Sequence, residues 1–274
     1  MIDSHCHTFY SKHATGTVDE IARAAISAGV TVLTITDHAP FIIDRNNRLL
    51  ESELAHYFED IELAQQRYSS QIKILRGLEL DYMSGCINFN LELLAKFPVD
   101  FVIGSIHYVK ISEKSLVKVW ELPRLANKKF LDRYFSNLEE LLECGLVDAI
   151  GHPDTLLRGV SEKLLLPYFE RFIELLSKTD IAFELNTSGL RKSSLDIITG
   201  RQVEGLWSYP SRELLRQMAS LDIPFTMGSD AHDPCDVGAG IPIMLRTLQP
   251  YGLQRISYYE NRRRIDVSID TLVF

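Results

Sequence analysis

Seven short, apolar, β-rich runs recur along the sequence, each followed by a stretch of helical period, and few folds accommodate that alternation. The runs begin at Ile2, Val30 (VTVLTIT), Ile72 (IKILRGLEL), Val99 (VDFVIGSI), Val147 (VDAI), Ile181 (IAFELN) and Ile223 (IPFTMG). Between them, Val18, Ile21, Ala22 and Ala25, then Gly29, read as an amphipathic helix closed by a glycine. Leu131, Phe135, Leu138, Leu141 and Leu142, then Gly145, repeat that design. Leu54, Phe58, Ile61, Ala64 and Tyr68 form a third apolar stripe; others run from Leu165 to Leu176 and from Leu214 to Leu221. All of these are core positions.

Repeated βα units imply a parallel sheet, and no Pro/Gly/Ser-rich linker divides the chain, so residues 1–274 read as one α/β domain near the size of a (β/α) barrel. Seven units rather than eight predict a distorted (β/α)7 barrel; an open doubly wound sheet satisfies the same periodicity. Two connections, Tyr108 to Lys128 and Gly189 to Pro210, are too long for bare turns and predict binding loops. After Ile243 the pattern is less legible, and Arg262-Arg263-Arg264 reads as a solvated face or a helix end.

Composition narrows the function classes. A net charge of −8, from 29 Lys and Arg against 37 Asp and Glu, argues against nucleic-acid partners and anionic membranes, so an anionic substrate needs a locally positive pocket. The N-terminus shows no secretory signal, no apolar run approaches the roughly 20 residues of a membrane span, and Walker and GxGxxG patterns are missing. Four cysteines without CxxC spacing predict reduced thiols and a cytoplasmic setting.

Against this background the histidines stand out. His5 and His7 follow the first run with His13 close behind, and His38, His107, His152 and His232 lie at the ends of the second, fourth, fifth and seventh. Strand ends and the residues just beyond make up about a tenth of such a chain, so chance puts roughly one histidine of eight there, whereas seven are found. His56, inside a helical stretch, is ordinary. In a parallel barrel these ends open on one face, and imidazoles gathered there without partners would repel on protonation, so divalent metal ions are their natural stabiliser. His5 and His7 project from one face of an extended segment about 6 to 7 Å apart, a span one ion bridges. Glu79 and Asp230 supply carboxylates that complete such a site and bridge to a second ion. Cys6 points to the opposite face, and Asp3 points with the histidines as an orienting acceptor or a strand-end cap.

The ordered motifs Asp3-Ser4-His5-Cys6-His7, Thr36-Asp37-His38, Gly77-Leu78-Glu79, Ser105-Ile106-His107, Gly151-His152-Pro153 and Gly228-Ser229-Asp230-Ala231-His232 resemble those of the PHP family, named for polymerase and histidinol phosphatase. Leu78-Glu79-Leu80-Asp81-Tyr82 and the segment Glu184 to Lys192 look most like its histidinol-phosphate phosphatases. The resemblance implies a distorted (β/α)7 barrel with a trinuclear centre. One ion would be held by His5, His7, Glu79 and Asp230, a second by Glu79, His107 and His152, and a third by His13, His38 and His232. The implied reaction is hydrolysis of a small phosphate monoester, L-histidinol phosphate to L-histidinol and phosphate. Other members of the superfamily, phosphotyrosine-protein phosphatases and nucleotide phosphodiesterases, are the alternative.

For such a reaction, paired ions lower the pKa of a bridging water toward 7 and hold the phosphoryl oxygens. A mixed His and carboxylate donor set accepts Zn, Mn or Fe. Arg158 and Arg191, in loops after the fifth and sixth strands, are the expected phosphate contacts. Asp37, Asp154 and Asp233 are the candidates for the general acid, and Asp44 or Asp81 for meeting a cationic amino group. Oligomeric state is not legible.

Overall fold

The computed structural model describes residues 1–196, 198–204 and 211–272. The seven anticipated runs form strands β1 (Ile2–Cys6), β2 (Val32–Ile35), β3 (Lys73–Asp81), β4 (Phe101–Ser105), β5 (Ala149–Ile150), β6 (Ala182–Asn186) and β7 (Phe225–Gly228). They lie side by side in chain order and every paired neighbour is parallel. Just past the strand ends, Cys6 and Ala231 form a parallel bridge, with Asp230 N–H donating to His5 O at 2.7 Å and His7 N–H to Ala231 O at 2.9 Å. The last strand therefore meets the first, and the sheet curls into a nearly closed seven-stranded barrel rather than an open doubly wound sheet.

Helices α1 (Val18–Ser27), α2 (Leu54–Tyr68), α3 (Ile87–Leu94), α4 (Lys128–Glu143), α5 (Glu162–Leu176), α6 (Arg212–Met218) and α7 (Ile241–Leu248) follow the strands. Their apolar stripes are the buried ones: Ile21, Ala22 and Ala25 in α1, and Leu138 and Leu141 in α4, are wholly covered. Helix α1 starts with a reciprocal cap in which Glu20 N–H donates to Thr17 Oγ1 and Thr17 N–H to Glu20 Oε2, which fixes where the chain turns away from the barrel mouth. No helix among the described residues is long and apolar enough to cross a membrane.

The connection from Tyr108 to Lys128 holds an antiparallel hairpin, Tyr108–Ser112 with Ser115–Lys118. That from Gly189 to Pro210 holds a second, Ser193–Leu195 with Gln202–Glu204, while its residues 197 and 205–210 lie outside the described ones.

The C-terminal stretch carries a third hairpin, Arg255–Glu260 with Arg263–Ser268, so the arginine run belongs to a turn and strand and not to a helix end. Arg262 sits in the turn with φ 62° and has a structural partner set: Nε donates to Asp148 Oδ2 at 2.6 Å and Nη2 to Leu146 O at 2.7 Å. Asn261 N–H donates to Asp100 Oδ1 at 3.0 Å. Asp100 and Asp148 precede β4 and β5, so the hairpin covers the N-terminal end of the barrel. There Tyr259 stacks on Phe101 at 5.2 Å and packs with Ile103, Ala149 and Ala182 as a plug.

Because this plug is buried and far from the strand C-termini, Tyr259→Ala should cost about 3 kcal/mol of stability. Tyr259→Phe, which removes a buried hydroxyl without a hydrogen-bond partner, should cost nothing. Urea unfolding of the two variants checks this, and equal losses in both would show that the ring is not what closes the barrel.

Candidate metal centre

The strand C-termini converge as the barrel geometry requires. Strand β3 is the longest, and it carries Glu79 to the middle of the mouth. Its backbone is held there by residues following β2: Glu79 N–H donates to Asp37 O at 3.1 Å and Ala39 N–H to Glu79 O at 2.8 Å. The Glu79 carboxylate is wholly buried and its two oxygens face different neighbours. Oε2 lies 2.7 Å from His38 Nδ1 and 3.5 Å from both His5 Nε2 and His7 Nε2. Oε1 lies 3.1 Å from His152 Nε2 and 3.6 Å from His107 Nε2, and accepts from Ser105 Oγ at 2.7 Å.

Two of the site residues have left-handed backbones that side chains other than glycine rarely adopt, His152 at φ 27° and Asp230 at φ 52°. Each is held by a short bond, His152 N–H to Glu184 Oε2 at 2.7 Å and Asp230 N–H to His5 O. Gly228 is required by proximity, since a Cβ there would lie 2.3 Å from that of His5.

Outer partners orient the imidazoles. Glu184 Oε1 sits 2.5 Å from His5 Nδ1, Asp81 Oδ1 2.9 Å from His107 Nδ1, Ser11 Oγ 3.1 Å from His7 Nδ1, and the Asp230 carbonyl 3.0 Å from His232 Nδ1. In each case the other ring nitrogen is left for the centre. At His5 burial weighs against charge, but the carboxylates of Glu184, Glu79 and Asp230 outweigh it and hold the pKa well above the ordinary value. At His107, Asp81 and Glu79 do the same. Burial prevails at His7 and His38, which are pushed down, and at His232, pushed down to about 4. Glu79 is held well below the usual carboxylate range because His38, His107 and His5 overcome its burial, and Asp230 likewise by Lys192 and His5.

The donors suit divalent ions. His5 Nε2 and His7 Nε2 stand 3.0 Å apart in the buried floor of the site, and His13 Nε2 and His232 Nε2 stand 3.1 Å apart at its exposed rim, close enough in each pair to share one ion. His38 Nδ1 and Glu79 Oε2 approach to 2.7 Å without forming a hydrogen bond, both otherwise unpartnered. Donors on one tetrahedral ion, with bonds of about 2.0–2.1 Å, are separated by about 3.3 Å. Around His5, His7, Glu79 and Asp230 the separations are 3.0, 3.3, 3.5, 3.5 and 3.9 Å. His5, His7 and Asp230 form one compact donor group; His7, His38 and His232 a second; His38, Glu79 and His107 a third; His5, His152 and Glu184 a fourth. All seven strand-end histidines thus gather with Glu79 and Asp230, and His38 stands between two groups. His56 is exposed on α2.

A cavity of about 550 Å³ opens over this cluster, lined among others by Arg158, Arg191, Lys192, Asp44, Tyr108 and Trp120. Arg158 Nε donates to Ser193 O at 2.7 Å, and Arg191 is anchored by Ser229 O at 2.6 Å and Asp236 Oδ2 at 3.2 Å.

Several expectations are corrected. None of the three acids proposed as proton donor lines the cavity. Asp37 lies behind His7, accepting from Thr8 and Ser11, with burial pushing its pKa up to about 7. Asp154 is wholly buried and accepts from Ser211 N–H at 3.1 Å, and Asp233 caps the turn Pro234–Asp236 and accepts from Thr15 Oγ1. Asp81 is committed to His107 and to Arg48 Nη1 at 2.7 Å, which leaves only Asp44 of the pair on the cavity wall. Asp3 touches no imidazole; it accepts from Ser229 N–H and Oγ at 2.8 and 2.6 Å and from Gly238 N–H at 2.8 Å, tying β1 to the loop that closes the barrel. Glu184, Arg48 and Lys192 were not singled out from the sequence. An acid inside the apolar run Ala182–Asn186 was the one available signal for Glu184.

Comparison with known proteins agrees with this geometry. The PHP domain model matches residues 3–188, and the chain belongs to the PHP family. A Deinococcus radiodurans protein named "Probable histidinol-phosphatase" is 30% identical over 263 residues, covering 94% of this chain and 96% of the relative. The histidinol-phosphatase of Bacillus subtilis is 22% identical, covering 86% and 95%. Among solved structures, the histidinol phosphate phosphatase of Lactococcus lactis, complexed with zinc, L-histidinol and phosphate, superposes with a TM-score of 0.77 at 19% identity over 96% of this chain and 98% of the other.

Two outcomes follow. Glu79→Ala should lower bound divalent metal at least about tenfold in chelator competition while the protein stays folded; unchanged metal content would remove Glu79 from the centre. Because the surrounding carboxylates favour the protonated forms of His5 and His107, whereas a bound ion needs a bare ring nitrogen, metal uptake should release protons. Calorimetry in buffers of different ionisation enthalpy measures this, and buffer-independent heats would contradict it.

Proposed function

We propose that the chain hydrolyses a small phosphate monoester with the help of bound divalent ions, and that the ester is L-histidinol phosphate, giving L-histidinol and phosphate. The observation that carries the reading is Glu79, whose two oxygens face separate sets of imidazoles on the floor of a cavity with cationic walls. The names of full-length relatives support the substrate. The whole of 1–274 acts in this proposal as a single phosphatase domain, in a cytoplasmic setting consistent with four free thiols.

The centre holds three ions in this reading, drawn from zinc, manganese and iron. His5, His7, Glu79 and Asp230 take one, Glu79, His107 and His152 another, and His13, His38 and His232 the third. When bound, the ions make an attacking water available near neutral pH and offset phosphoryl charge. Glu184 and Asp81 hold His5 and His107 in the ligating orientation. Arg158 and Arg191 bind the phosphate. Asp44 carries the negative charge complementary to the substrate's ammonium group, and Tyr108 and Trp120, edge to face at 5.6 Å, offer an aromatic wall to its ring.

Turnover of histidinol phosphate compared with a phosphotyrosine peptide and a dinucleotide tests the substrate class. Preference for either of the latter, or activity that survives complete chelation, would overturn the proposal. Arg191→Ala should reduce kcat/KM about 10- to 100-fold, chiefly through KM; unchanged kinetics would take it out of the phosphate site.

A further inference from the structure

The hydrogen bonds around Ser11 decide which nitrogen of His7 carries the proton. Ser11 lies in the one-turn 3₁₀ segment Phe9–Ser11 after β1, and its side chain is wholly buried. Its Oγ has three neighbours at hydrogen-bond distance: Asp37 Oδ1 at 2.6 Å, His38 N at 3.2 Å and His7 Nδ1 at 3.1 Å. A hydroxyl has one proton to give and two lone pairs. The His38 amide is an obligate donor and takes one lone pair. Asp37 Oδ1 also receives the Thr8 amide at 2.8 Å, an obligate donor again, so that oxygen acts as an acceptor and takes the Ser11 proton. The Asp37 carboxylate acts as an acceptor at both oxygens, since Oδ2 receives Thr8 Oγ1 at 2.8 Å.

Only a lone pair then remains for His7, so Nδ1 must carry hydrogen and Nε2 must be bare. Nε2 is the atom that faces His5 Nε2, Asp230 Oδ1 and Glu79 Oε2. We propose that Ser11 is a positioning residue for the metal centre: its hydroxyl, with its one proton fixed on Asp37, locks His7 as the Nδ1–H tautomer and joins the His7 ring to the His38 backbone. His5 and His107 receive the same service directly from carboxylates. At His7 a hydroxyl stands between, which adds a hold on the neighbouring His38 that a direct carboxylate would not give. The inference rests on the metal-centre reading above, and it reassigns Asp37 from proton donor to the acceptor that orients Ser11.

The test uses the full chain labelled with nitrogen-15 in histidine, together with zinc affinity by chelator competition. In the wild type the His7 signals should report a protonated Nδ1, with Nε2 shifting on zinc addition. Ser11→Ala should weaken zinc binding about 10- to 100-fold, and Ser11→Thr, which retains the hydroxyl, should recover most of that loss. A His7 ring protonated on Nε2, or a Ser11→Ala protein that binds zinc as tightly as wild type, would overturn the proposal. Failure of the wild type itself to bind zinc, manganese or iron would instead bring down the metal-centre reading and this inference with it. If Ser11→Ala does not fold, the wild-type tautomer decides alone.

Discussion

A carboxylate buried at the barrel mouth with imidazoles on both of its edges sets the terms for everything around it. Removing the Glu79 charge from water is expensive, and the cost is offset only where positive charge or donated hydrogens meet each oxygen. Ser105 satisfies part of Oε1, but Oε2 has no hydrogen bond of its own. The rings of His5, His7 and His38 on one side and His107 and His152 on the other therefore cannot be arranged independently of Glu79, and its own backbone is pinned by the residues that carry Asp37 and His38.

The demand for convergence is also visible in the backbone. Among the described residues, six other than glycine have left-handed φ: His152 and Asp230 are candidate ligands, Lys12 adjoins His13, Asp44 lines the cavity, and Asn261 and Arg262 belong to the opposite end. Such conformations cost on the order of 1–3 kcal/mol each and persist only where the surroundings overdetermine them. At His152 and Asp230 the determinants are named: a carboxylate oxygen of Glu184 and the carbonyl of His5. Those bonds turn the chain sharply at the strand end, so that the side chain points into the mouth rather than along the barrel wall. Glu184 consequently serves two purposes, holding the His5 ring with one oxygen and the His152 backbone with the other.

What could be read from the sequence follows from how local the signals are. Every barrel strand was legible because parallel strands buried on both faces give continuous apolar runs such as VTVLTIT, and the stripes of α1, α2, α4, α5 and α6 have clear helical period. The histidines, Glu79 and Asp230 were legible because chemistry at strand ends is set by fold geometry alone. Arg48 lies in an irregular segment without period, and no local rule brings it to Asp81. The three candidate proton donors stand off the cavity for a related reason: a position near a ligand in sequence says little about the side from which a side chain approaches. The C-terminal hairpin escaped because its second strand, RRIDVS, is mostly solvent-facing and polar, so the plug depends on Tyr259 and on the turn at Arg262.

The cavity also resolves the tension between an acidic chain and an anionic ester, although less simply than a count of arginines suggests. Arg48 is matched by Asp81, Arg191 by Asp236 and Lys192 by Asp230, while Arg158 donates to a backbone carbonyl. With three of the four cations each facing a carboxylate, protein groups alone leave the mouth with little excess positive charge. Under the proposed reading, the field that attracts a phosphate dianion must come largely from ions in the cluster, focused by the low-dielectric walls around Glu79. The same ions that activate the attacking water then also govern substrate affinity, and the arginines contribute direction more than net charge.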